Sequence, residues 1–372
     1  MRKVLFVAGE ASGDLHAAGV AAALKRMRPD LDLLAVGGAR LAEQGVELIH
    51  RDNQLGVMGF LEVLRHVPRH FALLRTIRRM LESGEVALLI LIDYPGFNMK
   101  VAAAAKKAGV PVLYYVTPQV WAWGAGRIPK LARLVTKAAV ILPFEESLLR
   151  GYGIDATFVG HPLLDRSVNM PTRVEAREAL GLAQNAPVLA LFPGSRQQEI
   201  DRHIDDFVAT ARELERRIPR LQVIVSVAPT VALDSGRCPF RLVHSASLSV
   251  LRAADAGLCK SGTTTLEAAI ADCPLVVAYR TGRVSFALAK RLVTVSNIGL
   301  VNVVAGREVA REFIQDAIVP AKMAESLSEL ITDTPRRREV LAGLAEVRSK
   351  LGSPGAANRV ARMASELAGA SG

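Results

Sequence analysis

The chain has 372 residues, half of them hydrophobic, and a formal net charge of +11. This length allows two domains of ordinary size, each with its own core, and the hydrophobic content excludes a disordered protein. The positive charge is spread along the chain and forms no basic tail. It therefore argues against a nucleic-acid-binding arm, and it fits a basic surface that meets anionic substrates or anionic lipids.

The N-terminal stretch and the cysteines indicate a cytoplasmic protein. Glu10 and Asp14 interrupt the apolar stretch that begins the chain, so we interpret this stretch as a first strand rather than a signal peptide. The longest apolar run, Val86 to Ile92, is too short to cross a bilayer. The three cysteines have no metal-type spacing, and their odd number does not suggest a disulfide framework.

Short apolar runs alternate with helical periods along the chain, a pattern typical of βαβ units and parallel sheets. Helices are predicted between the strands, for example over residues 15–28 and 99–108. We therefore expect an α/β fold. The predicted strands cover residues 4–8, 33–36, 86–92, 112–116, 140–142, 157–159, 188–192, 222–226, 256–259 and 275–278.

A polar, proline-containing segment from Asp165 to Thr172 interrupts this alternation and is predicted to be a linker. It separates a Rossmann-like domain over residues 1–168 from a second one over residues 172–350, which a helical tail follows over residues 351–372. In open parallel sheets, ligands bind beyond the carboxyl ends of the strands. The loops that follow the strands are therefore the expected positions of a functional site.

Two loops of the first domain carry carboxylates. Glu10 follows the first strand in a glycine-containing loop, where it would suit sugar hydroxyls; alternatively, Ser12 or Asp14 in this loop only caps the next helix. Asp93 ends the most hydrophobic strand, where a carboxylate partly removed from water could act as a general base. Its alternative role is an Asx-turn that leads into Pro95.

Two further features of the first domain are aromatic or basic. Trp121 lies close to the second tryptophan of the chain, and this segment could line a sugar or acyl pocket or belong to the core. Residues 62–81 form a predicted helix in which arginines alternate with apolar side chains. Such a helix can lie on an anionic membrane surface, or it can cover the core with one solvated face. The apolar stretch over residues 57–61 would suit acyl chains.

Two loops of the second domain have the composition of phosphate sites. Gly194 permits close approach of the backbone to a ligand, and the guanidinium of Arg196 can hold a phosphate in a bidentate manner. The segment that begins at Lys260 combines a cation, hydroxyls and a helix start, which together favour an anion. The alternative is a capping box of Thr264 and Glu267 that only satisfies the helix start.

Ordered motifs in both domains resemble those of one family, lipid-A-disaccharide synthase, a glycosyltransferase that joins two acylated glucosamines. The matching stretches follow the family's order over nearly the whole chain. They are residues 7–14, 57–63, 92–98, 118–123, 142–145, 159–162, 193–196, 261–263 with Glu267, and 302–309.

The resemblance implies the glycosyltransferase B fold, in which two Rossmann-like domains face a central cleft, and a reaction that needs no metal or other cofactor. It implies UDP-2,3-diacylglucosamine as the donor and 2,3-diacylglucosamine 1-phosphate as the acceptor. The acceptor's 6-hydroxyl would displace UDP with inversion at the anomeric carbon. Asp93 is the expected base, and Glu10 is the other candidate.

The same resemblance assigns the acceptor to the first domain and the UDP-sugar to the second. The expected location is the inner face of the cytoplasmic membrane with its anionic lipids, and the sequence leaves open whether the chain forms a homodimer. Residues expected at the donor are Gly194, Ser195, Arg196, Ser261, Gly262, Thr263, Glu267 and Asn302. Residues expected at the acceptor or its acyl chains are Ser12, Met58, Gly59, Phe60, Asn98 and Trp121.

The chain departs from the family's pattern at three places. Gly96 stands where the family often has a second acid, and Gly299 begins a segment that is usually serine-leucine-proline. Lys260 stands where a small residue is more usual, so its ammonium could strengthen diphosphate binding or occupy the space of the diphosphate.

Two other functions compete with this interpretation. An isomerase similar to UDP-N-acetylglucosamine 2-epimerase would need no acyl pocket, so the apolar stretch over residues 57–61 and the basic helix count against it. A non-catalytic protein that binds a nucleotide sugar or a lipid would not need the carboxylates of Glu10 and Asp93.

Overall fold

A computed structural model describes residues 2–51, 60–123, 125–234, 236–282, 286 and 297–369. The chain folds into two compact units, of which the first comprises Met1–Asp165 with Gly352–Gly372 and the second Arg166–Leu351. Each unit has a parallel β-sheet with helices between its strands. This confirms the α/β class predicted from the sequence.

The first unit begins with a strand and a helix and then repeats this alternation. Its strands are β1 (Lys3–Ala8), β2 (Asp32–Gly37), β3 (Glu47–Arg51), β4 (Val86–Ile92), β5 (Val112–Tyr115), β6 (Lys137–Val140) and β7 (Ala156–Phe158). Its helices are α1 (Ala11–Met27), α2 (Ala39–Glu43), α3 (Phe60–Glu82), α4 (Pro95–Lys107), α5 (Val120–Trp123), α6 (Ile128–Leu134) and α7 (Pro143–Arg150), and α8 (Leu163–Ser167) leads into the second unit.

The sheet of the first unit has the order β3-β2-β1-β4-β5-β6-β7 among the described residues. Strand β4 is apolar along its length because both faces of a parallel sheet are covered by helices. Its successive side chains point to opposite faces, so Leu89 and Leu91 join one hydrophobic cluster and Leu88 and Ile90 the other. Helices α3 and α4 contribute to the first cluster and α1 to the second.

The second unit repeats the alternation with a smaller sheet, of order β10-β9-β8-β11-β12-β13 among the described residues. Its strands are β8 (Val188–Phe192), β9 (Gln222–Val227), β10 (Arg241–His244), β11 (Ala256–Lys260), β12 (Leu275–Tyr279) and β13 (Glu312–Ile314). Its helices are α9 (Arg173–Ala179), α10 (Gln197–Arg217), α11 (Ser247–Ala253), α12 (Thr264–Ile270), α13 (Leu300–Ala305), α14 (Pro320–Ile331) and α15 (Pro335–Lys350).

The last helix, α16 (Ala356–Gly369), returns to the first unit and packs against α1. Val360 and Ala364 belong to the same buried cluster as Val20 of α1. The two helices approach closely where α1 has a glycine, since a Cβ built on Gly19 would lie 3.3 Å from the Cβ of Ala357. The helical tail predicted over residues 351–372 thus supplies part of the first unit's core.

Candidate functional site

Each sheet has one position at which the strand order changes direction, and the candidate loops lie there. In the first unit β1 and β4 are neighbours, with Ala8 opposite Ile92. From β1 the strands β2 and β3 continue to one edge of the sheet, and from β4 the strands β5, β6 and β7 continue to the other edge. In the second unit β8 and β11 are neighbours in the same way, with Phe192 opposite Cys259. Open α/β sheets bind ligands at such switch points, so each unit brings together two of the loops singled out from the sequence.

Asp93 lies in an unusual turn at the end of β4. Asp93 and Tyr94 both have left-handed backbone conformations, with φ of 48° and 49°, a region that is costly for a residue as bulky as tyrosine. The main-chain carbonyl of Asp93 accepts hydrogen bonds of 2.8 Å from the Asn98 amide and from the Tyr114 hydroxyl. The main-chain N–H of Asp93 donates to the carbonyl of Tyr115 at 3.2 Å. The surrounding framework therefore fixes the backbone of the candidate base.

The loop after β1 is shaped to receive this turn. A Cβ built on Gly9 would lie only 2.4 Å from the ring of Tyr94, so the ring packs directly on the glycine backbone. The Tyr94 hydroxyl lies 2.8 Å from Nε2 of His70 on α3. Glu10 follows Gly9 and is half-buried, and Ser12 is exposed in the first turn of α1. Glu10 and Asp93 thus follow two adjacent strands.

The capping alternative for this loop is wrong. Helix α1 begins at Ala11, and the side chain of its N-cap residue, Glu10, makes no capping hydrogen bond. The carboxylate of Asp14 accepts instead from the N–H groups of Gly38 at 2.7 Å and Arg40 at 2.9 Å, at the start of α2. Asp14 therefore holds the loop after β2 rather than the start of α1.

Asn98 was predicted to contact the acceptor, and the structure assigns it a different position. Its side chain is fully buried, and its amide donates to the carbonyls of Asp93 at 2.8 Å, Ile92 at 3.2 Å and Val7 at 3.4 Å. Burial directs this amide to the framework, and a contact of Asn98 with the acceptor stays a prediction. Asn98 joins the ends of β1 and β4 and supports the turn at Asp93.

Trp121 is half-buried, and its indole N–H donates to Oε1 of Glu145 at 3.0 Å. Its ring meets that of Phe144 edge to face, with 5.0 Å between the centroids. Glu145 also accepts from the N–H groups of Ile141 and Leu142. Burial raises the pKa of the Glu145 carboxyl to about 7, although these hydrogen bonds act in the opposite direction. The arrangement anchors one edge of the indole.

The predicted acyl-binding residues lie mostly outside the described part of the chain. Met58 and Gly59 belong to the undescribed residues 52–59, and Phe60 begins α3 without a described side chain. The described part of α3 has a buried face that includes Leu73, Leu74, Ile77 and Leu81. Its opposite face exposes Phe71 by 61% together with Arg69, Arg75, Arg78 and Arg79. Among the described helices none is long and apolar enough to span a membrane.

In the second unit, the loop after β8 turns at Gly194, whose φ is 148°. A Cβ built on Gly194 would lie 2.5 Å from Cβ of Glu199, so another residue would collide with the first turn of α10. Ser195 and Arg196 are exposed. The Ser195 N–H donates to Oε2 of Glu199 at 2.9 Å, and its carbonyl accepts from the hydroxyl of Thr230 at 2.7 Å. Two hydrogen bonds thus fix the backbone of the loop, while the side chains of Ser195 and Arg196, both predicted to contact the UDP-sugar, stay exposed.

The loop after β11 contains the exposed Thr263 and Gly262, whose φ is 155°. The Ser261 hydroxyl donates to the carbonyl of Ile298 at 2.7 Å, so this side chain also serves the framework. The Lys260 ammonium forms an ion pair of 2.8 Å with Oε1 of Glu199. Glu199 therefore connects the two loops, one at Ser195 and the other at Lys260.

The capping box of Thr264 and Glu267, the alternative considered for this loop, is not formed. Helix α12 begins at Thr264 after Thr263, and no side chain caps its start. The Glu267 carboxylate turns to the hydroxyl of Ser247 at 3.3 Å and to the guanidinium of Arg166 at 3.4 Å. Burial raises the pKa of Glu267, and Arg166 and Ser247 lower it in part. Glu267 is therefore not occupied in capping its own helix.

Asn302 was predicted to contact the donor, but its side chain is fully buried. Its amide donates to the carbonyl of Ala310 at 2.6 Å and to Glu312 at 2.8 Å. Its carbonyl oxygen accepts from the N–H groups of Val309 and Ala310. All four of its hydrogen-bonding positions are therefore used within the protein, which leaves none for a ligand.

Sequence reasoning missed Glu199 and Glu312. An acid in the first turn of a helix is an ordinary helix-start signal, and nothing in the sequence links Glu199 of α10 to Lys260 at the end of β11. Glu312 accepts from the N–H groups of Ile298 and Gly299 and supports Asn302. No cluster of three or more His, Cys, Asp or Glu side chains suited to a metal occurs among the described residues.

A family model described as lipid-A-disaccharide synthetase matches residues 4–365 of the chain. A lipid-A-disaccharide synthase from Myxococcus xanthus (strain DK1622) is 42% identical over 373 residues, which cover 98% of this chain and 97% of that protein. The chain belongs to the lipid-A-disaccharide synthetase family. Membership of this family confirms the resemblance found in the sequence and the predicted enzyme class, a hexosyltransferase.

Solved structures of other proteins share the fold of this member of the lipid-A-disaccharide synthetase family. UDP-GlcNAc 2-epimerase from Neisseria meningitidis, bound to UDP-GlcNAc, has a TM-score of 0.61 at 14% identity and covers 98% of both chains. The glycotransferase of kitacinnamycin has a TM-score of 0.65 at 16% identity, again with 98% of both chains. At these identities the likeness concerns the fold alone. It confirms the two-domain glycosyltransferase B fold and does not favour an epimerase.

Proposed function

We propose that the chain transfers 2,3-diacylglucosamine from UDP-2,3-diacylglucosamine to 2,3-diacylglucosamine 1-phosphate, with inversion, and so forms lipid A disaccharide 1-phosphate and UDP. The observation that carries this proposal is the family match over residues 4–365. The positions of the loops support it, because each sheet presents its candidate residues where its strand order changes direction.

We assign the acceptor to the first unit. Asp93 would take the proton of the 6-hydroxyl as its oxygen attacks the anomeric carbon of the donor and the bond from that carbon to the diphosphate oxygen breaks. The hydrogen bonds from Asn98 and Tyr114 to the Asp93 carbonyl support this role, because they fix the backbone from which the carboxylate projects. Glu10, at the end of the adjacent strand, would position acceptor hydroxyls.

We assign the donor to the second unit. The exposed Ser195, Arg196 and Thr263, together with the backbone at Gly194 and Gly262, offer donors to diphosphate oxygens. These groups would stabilise the negative charge that develops on the leaving diphosphate. The buried Glu267 carboxylate would accept from ribose hydroxyls while Arg166 stays beside it.

We assign the surface of α3 to the inner face of the cytoplasmic membrane. The exposed arginines of this helix can interact with anionic headgroups, and Phe71 offers an apolar side chain on the same exposed side. The Lys100 ammonium of α4 lies 5.7 Å from the centre of the Phe71 ring and adds to this basic surface. Both substrates carry acyl chains, so contact with a membrane would bring the protein to them.

The proposed function is tested by incubating purified protein with both substrates without added metal and measuring disaccharide and UDP. Equal amounts of both products are expected. UDP release without disaccharide, or no turnover, contradicts the proposal. Asp93→Asn is expected to lower turnover by about two to four orders of magnitude, the range for a lost general base.

Two controls distinguish the role of Asp93 from a structural one. UDP binding to Asp93→Asn, measured by calorimetry, is expected to equal that of the unsubstituted protein, because Asp93 and the donor loops belong to different units. Glu10→Gln serves as the matched carboxylate control and should raise the acceptor KM more than it lowers kcat. If Glu10→Gln abolishes turnover and Asp93→Asn does not, the two roles are reversed.

A further inference from the structure

Lys260 and Glu199 form an ion pair at the switch point of the second unit. Nζ of Lys260, the last residue of β11, lies 2.8 Å from Oε1 of Glu199 in the first turn of α10. Their side chains are only 17% and 14% exposed, so water screens this pair less than an ordinary surface pair. The pair is partly withdrawn from solvent and lies beside the two loops assigned to the diphosphate.

Glu199 shapes the first of these loops. Its other carboxylate oxygen accepts from the Ser195 N–H at 2.9 Å, and its side chain fills the space that a Cβ at Gly194 would need. The loop conformation therefore depends on the carboxylate. A carboxylate at this point also carries a cost, because its negative charge would repel an incoming diphosphate.

The Lys260 ammonium lies near the second loop as well. A Cβ built on Gly262 would lie 3.7 Å from Nζ, and the ring centre of Tyr279 is 5.7 Å from it. Arg196, whose guanidinium is 3.6 Å from Glu199, is the second cation of the cluster. Lys260, Arg196 and Glu199 together have a net charge of +1, whereas Arg196 and Glu199 alone have a net charge of zero.

We propose that Lys260 is a positioning residue for the donor diphosphate: it neutralises Glu199 and holds its carboxylate against the loop over residues 194–196. The inference rests on the proposed donor site. Lys260 acts through Glu199 and is not itself a ligand of the phosphates. Drawing the ammonium away to a phosphate would leave a partly buried carboxylate with only the more exposed and more distant Arg196 as its cation, which is costly.

This role has a pH signature. Burial pushes the pKa of Glu199 upward, but Lys260, the Ser195 N–H and Arg196 together hold it below its ordinary value. Without Lys260, burial is opposed more weakly, so the pKa of Glu199 should rise. Protonation then removes the repelling charge, so the loss of UDP affinity in a Lys260→Met variant, relative to the unsubstituted protein, should become smaller as the pH is lowered.

Other titratable and charged groups lie near Glu199, and one of them, His203, also responds to the charge of Lys260, so it does not cancel when Lys260 is replaced. His203 of α10 bonds to the Glu199 carbonyl through Nδ1 and accepts from the Arg280 N–H through Nε2. Burial lowers the pKa of His203, and the charge of Lys260 lowers it further; the double variant, which has no Glu199 carboxyl, isolates the contribution of His203 to the pH dependence. The Arg280 guanidinium pairs with Asp206 at 2.8 Å. The terminal phosphate of UDP titrates equally with either protein.

The test is a double-mutant cycle on UDP binding, measured by calorimetry with Lys260→Met, Glu199→Gln and the double variant. Lys260→Met alone should weaken UDP binding by about tenfold, equivalent to about 1.4 kcal/mol. In the Glu199→Gln background the same substitution should weaken it by less than about twofold, since there is no charge left to neutralise. Lys260→Arg keeps the cation and should bind UDP within about threefold of the unsubstituted protein.

The outcomes separate this inference from the donor site on which it rests. Equal losses from Lys260→Met in both backgrounds, which do not become smaller as the pH is lowered, mean that Lys260 binds the phosphates directly and overturn the inference alone. An unsubstituted protein that does not bind UDP overturns the donor site and the inference together. If Lys260→Met does not fold, as judged by circular dichroism, Lys260→Gln takes its place in the cycle.

Discussion

The side-chain amide of Asn98 donates a 2.8 Å hydrogen bond to the main-chain carbonyl of Asp93, whose backbone is left-handed. The candidate base is therefore held by a fully buried residue. Strained backbone of this kind persists only where the surrounding structure enforces it. The catalytic properties of Asp93 should then depend on Asn98.

Asn98→Ala is expected to lower kcat by about 10- to 100-fold, since a displacement of about 1 Å at a reacting group can cost that much. It should also lower the free energy of unfolding by about 1–3 kcal/mol, because three carbonyls lose a donor. UDP binding should not change. Steady-state kinetics and urea unfolding measure these effects.

The matched control is Val101→Ala, a buried substitution on the same helix that leaves the Asp93 turn intact. It should lower stability by about 0.5–3 kcal/mol and leave kcat unchanged. Tyr114→Phe removes the other donor to the Asp93 carbonyl and should reduce kcat less than Asn98→Ala. Parallel loss of kcat in Val101→Ala would show that Asn98→Ala acts only through general destabilisation.

Gly194→Ala tests the shape of the loop after β8. A methyl group there would lie 2.5 Å from Cβ of Glu199 at a φ of 148°. The loop must therefore move away from Glu199, and Ser195 moves with it. We expect UDP binding to weaken by at least about tenfold and acceptor binding to stay unchanged. Gly126→Ala is the control, because a Cβ there meets no heavy atom within 4 Å. Unchanged UDP affinity in Gly194→Ala would contradict the assignment of this loop to the donor.

The buried Glu145 carboxyl predicts a pH dependence of stability. Burial raises its pKa from 4.5 to about 7. Between these two pH values the folded protein therefore keeps a proton that the unfolded chain has released. Stability from this group is therefore full below about pH 4.5 and is lost as the pH rises to about 7, by up to about 3 kcal/mol. Urea unfolding at a series of pH values measures the effect.

Glu145→Gln provides the reference for this experiment because it cannot titrate. The difference in unfolding free energy between the unsubstituted protein and Glu145→Gln should decrease from pH 5 to about pH 7 and then stay constant. The indole of Trp121, which donates to Glu145, should report the same transition in its fluorescence. A difference that does not vary with pH would show that Glu145 keeps an ordinary pKa in the folded protein.

The exposed arginines of α3 predict binding to anionic membranes. Arg78→Glu with Arg79→Glu should weaken sedimentation with phosphatidylglycerol vesicles by at least about tenfold, because each basic residue near such a surface contributes about 1 kcal/mol. Binding of the unsubstituted protein should decrease as salt is added. Arg133→Glu with Arg362→Glu, on other exposed helix faces, is the matched control and should bind normally. Equal loss in both variants would mean that net charge alone governs binding.

The predicted and the missed strands show what the sequence could reveal of this fold. Buried strands such as β4 and β8 were predicted with their observed bounds, because both of their faces are apolar. The missed strands are β3, β10 and β13, and each lies at an edge of its sheet. An edge strand is less covered by neighbours, so polar side chains such as Arg241 and His244 weaken the apolar pattern.

The candidate site was predictable to a similar degree. Loops at strand ends follow from the strand pattern, and the structure brings Glu10 and Asp93 to adjacent strands, as it does the two phosphate-type loops. Side-chain partnerships do not follow from a local pattern. Asn98 contacts Val7, and Glu199 pairs with Lys260, across long stretches of the chain, while Asn302 is held by residues within ten positions of it whose loop the sequence pattern does not shape.

The return of α16 to the first unit has a consequence during synthesis of the chain. A ribosome releases residues 2–165 long before it makes Ala356–Gly369, so α1 must wait for its partner while the second unit is translated. Until then Val20 and its buried neighbours lack the apolar side chains of Val360 and Ala364. The first unit to emerge is thus the last to be completed, and it carries Asp93. A nascent chain that stops before residue 356 would therefore have a complete second unit and an unfinished first one.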